Sequence, residues 1–540
     1  MSDKMYKCSP DHPIRIRMGV SMLTKPSAIA KGLPKKITSL CPECGKLIPG
    51  QLRDDSGKVI MEKSCPQHGA FSDVVWSDTA LYLRAESWAR DGIGVENPMI
   101  KGAKNCPFEC GLCDLHLSHT ALANVDLTNR CNLKCPICFA NANQAGYVFE
   151  PDYDTVVKML QSLRDQRPVP TPAVQFSCGE PTIHPKFIEV IKKASELKFA
   201  QIQVATNGIM FSTKPDFLKA ARDAGLNTIY LQFDGLKEEN YIAARGKALL
   251  ATKKRAVENV RALEGRRPSI VLVPTVVKGI TDDQVWPIVQ YAMDNTDVVR
   301  GINFQPVAFS GRIDQHERAK QRYTIPDLVH EIESKSNGAI KSGDWFPPSA
   351  VSIISDLAGI VMKKHYVTFT VHPGCGLATY IFVDKRTKEI TPLPKFIKVE
   401  NVFNELHALV EKAQKRKGTF RTKLSVVRIF WHNIDKKKMP KGMSRIKFLR
   451  MILNVINDKT KKGLAKFSWD MLFIGAMHFQ DSYNYDVDRV MRCGIHYTTP
   501  DGRIIPFCAY NSGPTYRTEV EKKYSVPIEQ WRKQRGDEFT

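Results

Sequence analysis

Three cysteines, Cys131, Cys135 and Cys138, fall within the nine residues CNLKCPICF in a CxxxCxxC spacing. A loop bearing three thiolates can ligate three irons of a cubane and leave the fourth open to a chelating small molecule. A second group with the same spacing, Cys106, Cys110 and Cys113 in CPFECGLC, precedes it. No strand leads into that group, so it reads as an auxiliary iron–sulfur site, with a zinc knuckle as the alternative. Cys375, Cys493 and Cys508 are far apart in sequence, each beside Gly or Pro, and together offer ligands for another cluster. Two four-thiolate clusters need more ligands than these two groups supply, which leaves Cys178, Cys8, His372 and His496 as further candidates. Nearer the start, CPEC and CPQHG supply Cys41, Cys44 and Cys65, with His68 as fourth ligand and Cys8 as the alternative. Zinc suits that set; a mononuclear iron has similar ligand geometry when the fourth donor is a thiolate.

These residues need a scaffold, and 540 residues with 43% hydrophobic content are too many for one small core. The reading divides the chain into a metal-bearing domain at 1–100, an auxiliary-cluster segment at 101–120, a catalytic unit at 121–325 and a helical, cluster-bearing part at 326–540. Asp55–Gly57 marks a hairpin turn in the first part. From 121 onward short apolar runs alternate with helical patterns: ALANVDLT, AVQFS, QIQVATN, TIYLQFD, SIVLVPTVV and GINFQPV, with Tyr153–Arg164, Pro185–Lys198 and Lys214–Ala224 among the helices. That alternation predicts α/β architecture, a partial (β/α)6 barrel with chemistry at the strand C-terminal ends. The net charge of +23 favours polyanionic partners, nucleic acid or anionic membrane alike. With no long apolar run and no secretory leader pattern, a cytoplasmic location is expected.

The CxxxCxxC loop after the first predicted strand resembles the radical S-adenosylmethionine (SAM) superfamily, and the resemblance implies a 4Fe–4S cluster on Cys131, Cys135 and Cys138 that cleaves SAM to a 5′-deoxyadenosyl radical. It also implies that Phe139 packs near adenine. SCGEPT at 177–182 resembles the family's GGEP motif, so Ser177, Gly179 and Glu180 are the expected holders of the SAM amino group; Cys178 departs from the pattern by replacing a glycine. ATNG places Asn207, QFDG places Gln232 and Asp234, and VPTVVKG places Thr275 and Val277 at successive strand ends, as SAM-binding candidates.

Over about residues 35–515, the combination of CPEC…CPQHG, CPFECGLC, CNLKCPICFA and RCGIHYTTPDGRIIPFCAYN is similar to the archaeal tetraether synthase family. That likeness implies carbon–carbon coupling between terminal sp3 carbons of isoprenoid chains of archaeal diether phospholipids, fed by reduced ferredoxin or a similar donor. It further implies one or two auxiliary 4Fe–4S clusters and peripheral attachment to an anionic membrane surface, with Ile446–Ile456 and Phe467–Phe479 as candidate docking segments. Tyr483, Tyr485, His478 and Gln480 are candidate site-lining residues. A radical SAM methylase, or another RNA- or peptide-modifying radical SAM enzyme with auxiliary clusters, is the alternative. No RNA-binding module is recognisable, so no nucleic-acid partner is expected.

Overall fold

In the computed structural model, residues 28–384, 386–415, 419–457, 471–514 and 516–536 are described. The N-terminal unit is a meander of four antiparallel strands: β1 (Lys35–Leu40), β2 (Leu47–Asp55), β3 (Lys58–Cys65) and β4 (Gly69–Trp76). Ser56 and Gly57 link β2 to β3 with φ positive at both, the twist that a two-residue hairpin requires. Cys41 and Cys44 lie between β1 and β2, and Cys65 and His68 lie at the β3–β4 turn.

The centre of the molecule is a parallel sheet. Chain order gives β5 (Leu122–Thr128), β6 (Tyr147–Phe149), β7 (Ala173–Cys178), β8 (Gln201–Thr206), β9 (Thr228–Gln232), β10 (Ser269–Val273), β11 (Thr275–Val276) and β12 (Val299–Pro306). The strands β5, β7, β8, β9, β10 and β12 pair in parallel in that order, one for each expected run. Helices cross between them, among them Tyr153–Arg164, Phe187–Glu196 and Pro215–Ala224. The first shows why the pattern was readable. Asp152 caps it by accepting from the Thr155 N–H at 2.8 Å, and Val156, Met159, Leu160 and Leu163 repeat at helical spacing and are buried.

Strands from the last third of the chain join the same sheet. A hairpin of β13 (Gly376–Val383) and β14 (Ile390–Pro392) leads to β15 (Leu472–Met477), which runs parallel to β12. On the other edge β16 (Ile495–Thr498) runs parallel to β5 and turns into β17 (Ile504–Pro506); β18 (Ser525–Pro527) pairs with β6. The turn at Pro500–Gly502 is as expected, with the Gly502 N–H donating to Thr499 O at 2.8 Å. The six expected strands are thus the middle of a 12-stranded sheet. Placing Phe467–Phe479 at a membrane surface is corrected here for residues 472–477, which form β15 inside the sheet. An apolar run satisfies its backbone in a ladder and its side chains in the core, and Ile474 is fully buried. Residues 467–470 and Cys8 lie outside the described residues.

A second core forms where helices Ser352–Met362, Val399–Lys415, Thr419–Asn433 and Arg445–Asn457 close around Ile353, Leu357, Val402, Leu406, Phe430 and Phe448. Among the described residues no helix is long and apolar enough to cross a membrane. Because Ile474 packs in the same core as the barrel strands, Ile474→Ala should destabilise the sheet as a whole by about 2–5 kcal/mol. Denaturant unfolding followed by far-UV circular dichroism checks this; early melting of the C-terminal part alone would contradict it.

Candidate active site and metal centres

At the N-terminal meander the ligand atoms of Cys41, Cys44, Cys65 and His68 all lie within 4.8 Å of one another. The His68 Nδ1 stands 3.4 Å from Cys65 Sγ and 3.6 Å from Cys41 Sγ, and the Cys44 and Cys65 sulfurs are 4.0 Å apart. Tetrahedral bonds of about 2.3 Å put neighbouring ligands about 3.8 Å apart, so the set fits one closed, structural ion. Hydrogen bonds from the Gln67 N–H and from His68 pull the Cys65 thiol down to about 6, while burial holds the Cys41 thiol up.

The loop after β5 is organised for a larger group. Its three cysteines gather around Leu133, Tyr241 and Leu249 without crowding to single-ion spacing, as donors separated by a multi-iron core must. Other segments pin the loop backbone. Asn143 accepts from the Cys131 N–H at 3.0 Å and donates to Cys131 O and Leu133 O. Arg312 donates to Cys135 O at 2.6 Å and exchanges two backbone bonds with Cys138. The Arg245 guanidinium donates to Ile137 O at 3.0 Å. Burial, with the Glu180 carboxylate and the neighbouring thiols, raises Cys131 far above the ordinary thiol range, so a metal must displace its proton.

The strand-end candidates converge on this loop. Gly179 passes so close that an added Cβ would lie 2.0 Å from Arg130 O, and the Glu180 N–H donates to that same carbonyl. Glu180 is fully buried. Its carboxylate accepts from Thr182, from Thr206 Oγ1 at 2.7 Å and from the Asn207 N–H at 2.8 Å, which ties the ends of β7 and β8 together. Asn207 Nδ2 then donates to Asn132 at 2.6 Å and lies 4.0 Å from Cys131 Sγ. Asp234 grips Arg245 in a bidentate pair at 2.6 and 2.8 Å and accepts from the Thr275 N–H; Thr275 Oγ1 accepts from the same arginine. Gln232 accepts from Lys253, whose ammonium burial pulls down to about 8. Val277 packs with Ile137, Val307 and Phe309 beside the loop. Phe139 sits against Phe507 (5.4 Å between ring centres) and Phe479 (6.1 Å).

Ser177 donates to Asp126, whose other oxygen accepts from Arg517. Cys178 keeps the positive φ, +94°, that the missing glycine would have supplied, a strain of order 1–3 kcal/mol. Its sulfur is 3.2 Å from Arg517 Nη1, and with Asp126 and Glu521 it forms a compact polar knot. Arg517 donates to Asp126, Glu521 and Cys178 inside that knot, so the Cys178 sulfur is engaged there. Sequence reasoning missed Arg245, Lys253, Arg312, Asn143 and Arg517. Their partners are backbone carbonyls and groups far away in sequence, which no local motif records.

The auxiliary cysteines come together in one region. A small cavity is lined by Cys106, Cys110, Cys113 and His116, and Cys493 lies near enough to Cys110 to raise its thiol further. Cys375, Cys493 and Cys508 in turn neighbour one another. Arg489 Nε donates to Cys375 Sγ at 3.4 Å, and the Gln480 N–H donates to Cys508 Sγ at 3.5 Å. The buried Tyr485 Oη, Gln480 Nε2 and His478 Nε2 have no partner among the described residues, and Tyr485 feels both cysteine groups. Buried polar atoms left unpaired beside thiols fit an iron–sulfur core whose sulfides accept hydrogen bonds. His496 faces His116 at 3.0 Å and His372 Nδ1 accepts from the Gly374 N–H. Tyr483 stacks on Arg318.

Two tests follow from these contacts. Arg245→Met strands the Asp234 carboxylate and frees Ile137 O, so it should cost about 3–5 kcal/mol and bleach the visible iron–sulfur absorption of the reconstituted protein. Metal in the N-terminal site should be lost as pH falls, because Cys41 and Cys65 must be deprotonated to bind. The loss should steepen below about pH 6, where Cys65 regains its proton. Metal analysis after dialysis at stepped pH checks this, and release that is independent of pH would refute it.

The radical SAM superfamily model matches residues 125–292, and a model described as the HMPTM N-terminal zinc ribbon domain matches residues 33–77. A 7,8-dihydro-6-hydroxymethylpterin dimethyltransferase of Methanocaldococcus jannaschii is 44% identical over 509 residues, 93% of this chain and 97% of that protein. A GTP 3′,8-cyclase of Limosilactobacillus fermentum is 24% identical over 214 residues, 38% of this chain and 60% of that protein. Among solved structures, Streptococcus suis SuiB aligns over 41% of this chain and 47% of its own, with a TM-score of 0.33 and 16% identity. With the pinned three-cysteine loop and the full-length match, the chain belongs to the radical SAM superfamily, in the same family as the Methanocaldococcus jannaschii protein.

Proposed function

We propose that the protein is a radical SAM enzyme that forms carbon–carbon bonds at unactivated carbon, with methyl transfer to a reduced pterin as its first reading. The similarity that spans 97% of the pterin dimethyltransferase carries this reading. When bound, a 4Fe–4S cluster on Cys131, Cys135 and Cys138 supplies reductive SAM cleavage, with electrons from a ferredoxin-type donor. The protein's own residues position that event. Asn143, Arg245 and Arg312 fix the loop. Asn207, Gln232, Asp234 and Lys253 line the adjoining strand ends, where a cationic, zwitterionic ligand meets both donors and acceptors. The apolar wall of Val277, Phe309 and Ile137 excludes water, which protects a reactive carbon centre.

A second reading is the joining of isoprenoid chains of archaeal diether lipids into a tetraether. The aromatic cluster favours it: Phe139, Phe479 and Phe507 run from the SAM-cluster loop toward Cys508, and Phe479 and Phe507 stack at 3.8 Å. Such a wall suits an alkyl chain. Coupling two terminal carbons removes one hydrogen from each and consumes two SAM molecules and two electrons, so the first radical must be sheltered while the second forms. In this reading the six auxiliary thiols beside the aromatic wall take part, and the substrate is an archaeal diether phospholipid.

The protein would be reconstituted anaerobically with iron and sulfide, reduced, and given SAM with either 6-hydroxymethyl-7,8-dihydropterin or dispersed diether phospholipid. The first reading consumes two SAM molecules and two electrons per methyl, one SAM for the hydrogen-abstracting radical and one as methyl donor. It therefore expects 5′-deoxyadenosine, methionine and S-adenosylhomocysteine together with a pterin heavier by one CH2 per methyl. The second expects lipid at the summed mass of the joined chains less two hydrogens per new bond. 5′-Deoxyadenosine with neither product would overturn both substrate assignments, and its absence from the loaded protein would overturn the proposed chemistry.

A further inference from the structure

The helices Thr419–Asn433 and Arg445–Asn457 bury one face and, among the described residues, leave the other without a partner. Inward, Val426, Ile429, Phe430, Phe448 and Leu449 fill the second core. Outward, Leu424 is 54% exposed, Trp431 43% and Ile446 63%. Arg421, Leu424, Arg428 and Trp431 fall at helical spacing along one stripe, all exposed. The Arg445 guanidinium lies 5.4 Å over the Trp431 ring and so joins this stripe to the start of the next helix, where Ile446 and Lys447 are exposed.

The charge on this face is predominantly positive. Residues 421–450 hold ten Lys or Arg against the single Asp435. Lys438 pairs with Asp435 and Lys441 with Glu389, whereas Arg421, Arg428, Lys436, Lys437, Lys447 and Arg450 have no carboxylate partner among the described residues. Six unpaired cations surround three apolar tips, one of them a tryptophan. An anionic bilayer answers both features: headgroups meet the cations, and the tips enter the interface. Nucleic acid would answer the charge but leave Leu424 and Ile446 in water.

We propose that this face docks the protein on an anionic phospholipid bilayer. Its purpose rests on the lipid reading of the active site, but its test does not need catalysis. The reconstituted protein should sediment with vesicles containing phosphatidylglycerol and not with phosphatidylcholine vesicles, and binding should fall as salt rises. The triple variant K436S/K437S/K447S should bind roughly a hundredfold more weakly, at about fivefold per lysine near an anionic leaflet. L424S/W431S/I446S should also bind several-fold more weakly than the unaltered protein. 5′-Deoxyadenosine formation, measured without lipid, should be unchanged in both and reports that they fold. Failure of the unaltered protein to bind anionic vesicles would overturn the proposal. So would an apolar triple variant that binds vesicles undiminished while the lysine variant loses affinity for an RNA homopolymer and vesicles alike, which marks a general polyanion patch. Vesicle binding without lipid coupling would leave the docking face standing and remove only the lipid reading of the site.

Discussion

A nine-residue loop that carries three thiols has no helix and only the single bridge from Cys138 to Arg312 to hold it, and everything chemical in this protein depends on that loop keeping one shape. Its backbone is held from outside. Arg245 reaches Ile137 O from the helix after β9, Arg312 reaches Cys135 O from beyond β12, and Asn143 bridges Cys131 and Leu133 from the segment that follows. Gly179 brings the end of β7 against Arg130 at the loop's entrance, in a space where no side chain fits. Gly179, Arg245 and Arg312 come from the ends of different strands, so the parallel sheet is the device that makes them meet: its C-terminal edge collects these loops into one rim.

The same rim has to tolerate accumulated negative charge. Thiolates in a low-dielectric interior are costly, and burial pushes the thiols of Cys131, Cys493 and Cys508 upward. The protein sets buried cations among them: Arg245 and Lys253 near the SAM-type loop, Arg489 against Cys375, Arg517 beside Cys178. Arginine predominates because its fork can pair with a carboxylate and still donate to a carbonyl or a sulfur. Arg245 does this with Asp234, Ile137 O and Thr275 at once. These residues act on the chemistry through position and field, and that is why they surround the cysteines without resembling ligands.

What could be read in advance follows from how local each signal is. The six central strands and their helices declare themselves through period and flanking turns, and the metal groups through tight cysteine spacing. His68 was legible because it sits three residues after Cys65 in the same turn. The membership of β15 and β16 in the barrel sheet was not, because their partners β12 and β5 are about 170 and 370 residues away and four to six apolar residues fit many sheets equally well. Glu180 was found by motif, but its engagement by Thr206 and Asn207 depends on which strand lies beside β7. Arg517 and Glu521 carried no signal, since they enter the site from a helix whose pattern is otherwise that of a solvent face.

That non-local pairing has a chemical consequence. Cys493 and Cys508 flank β16 and β17, and β16 lies directly beside β5, the strand that feeds the SAM-type loop. On the far edge, β13 and β15 carry Cys375 and the His478–Gln480 segment beside Cys508. The extension therefore does more than lengthen the sheet. It wraps both edges so that the auxiliary thiols and the aromatic trio Phe139, Phe479 and Phe507 adjoin the three-cysteine loop. A separate C-terminal domain on a flexible link would have to spend docking free energy to reach that arrangement each time; here it is fixed by backbone hydrogen bonds.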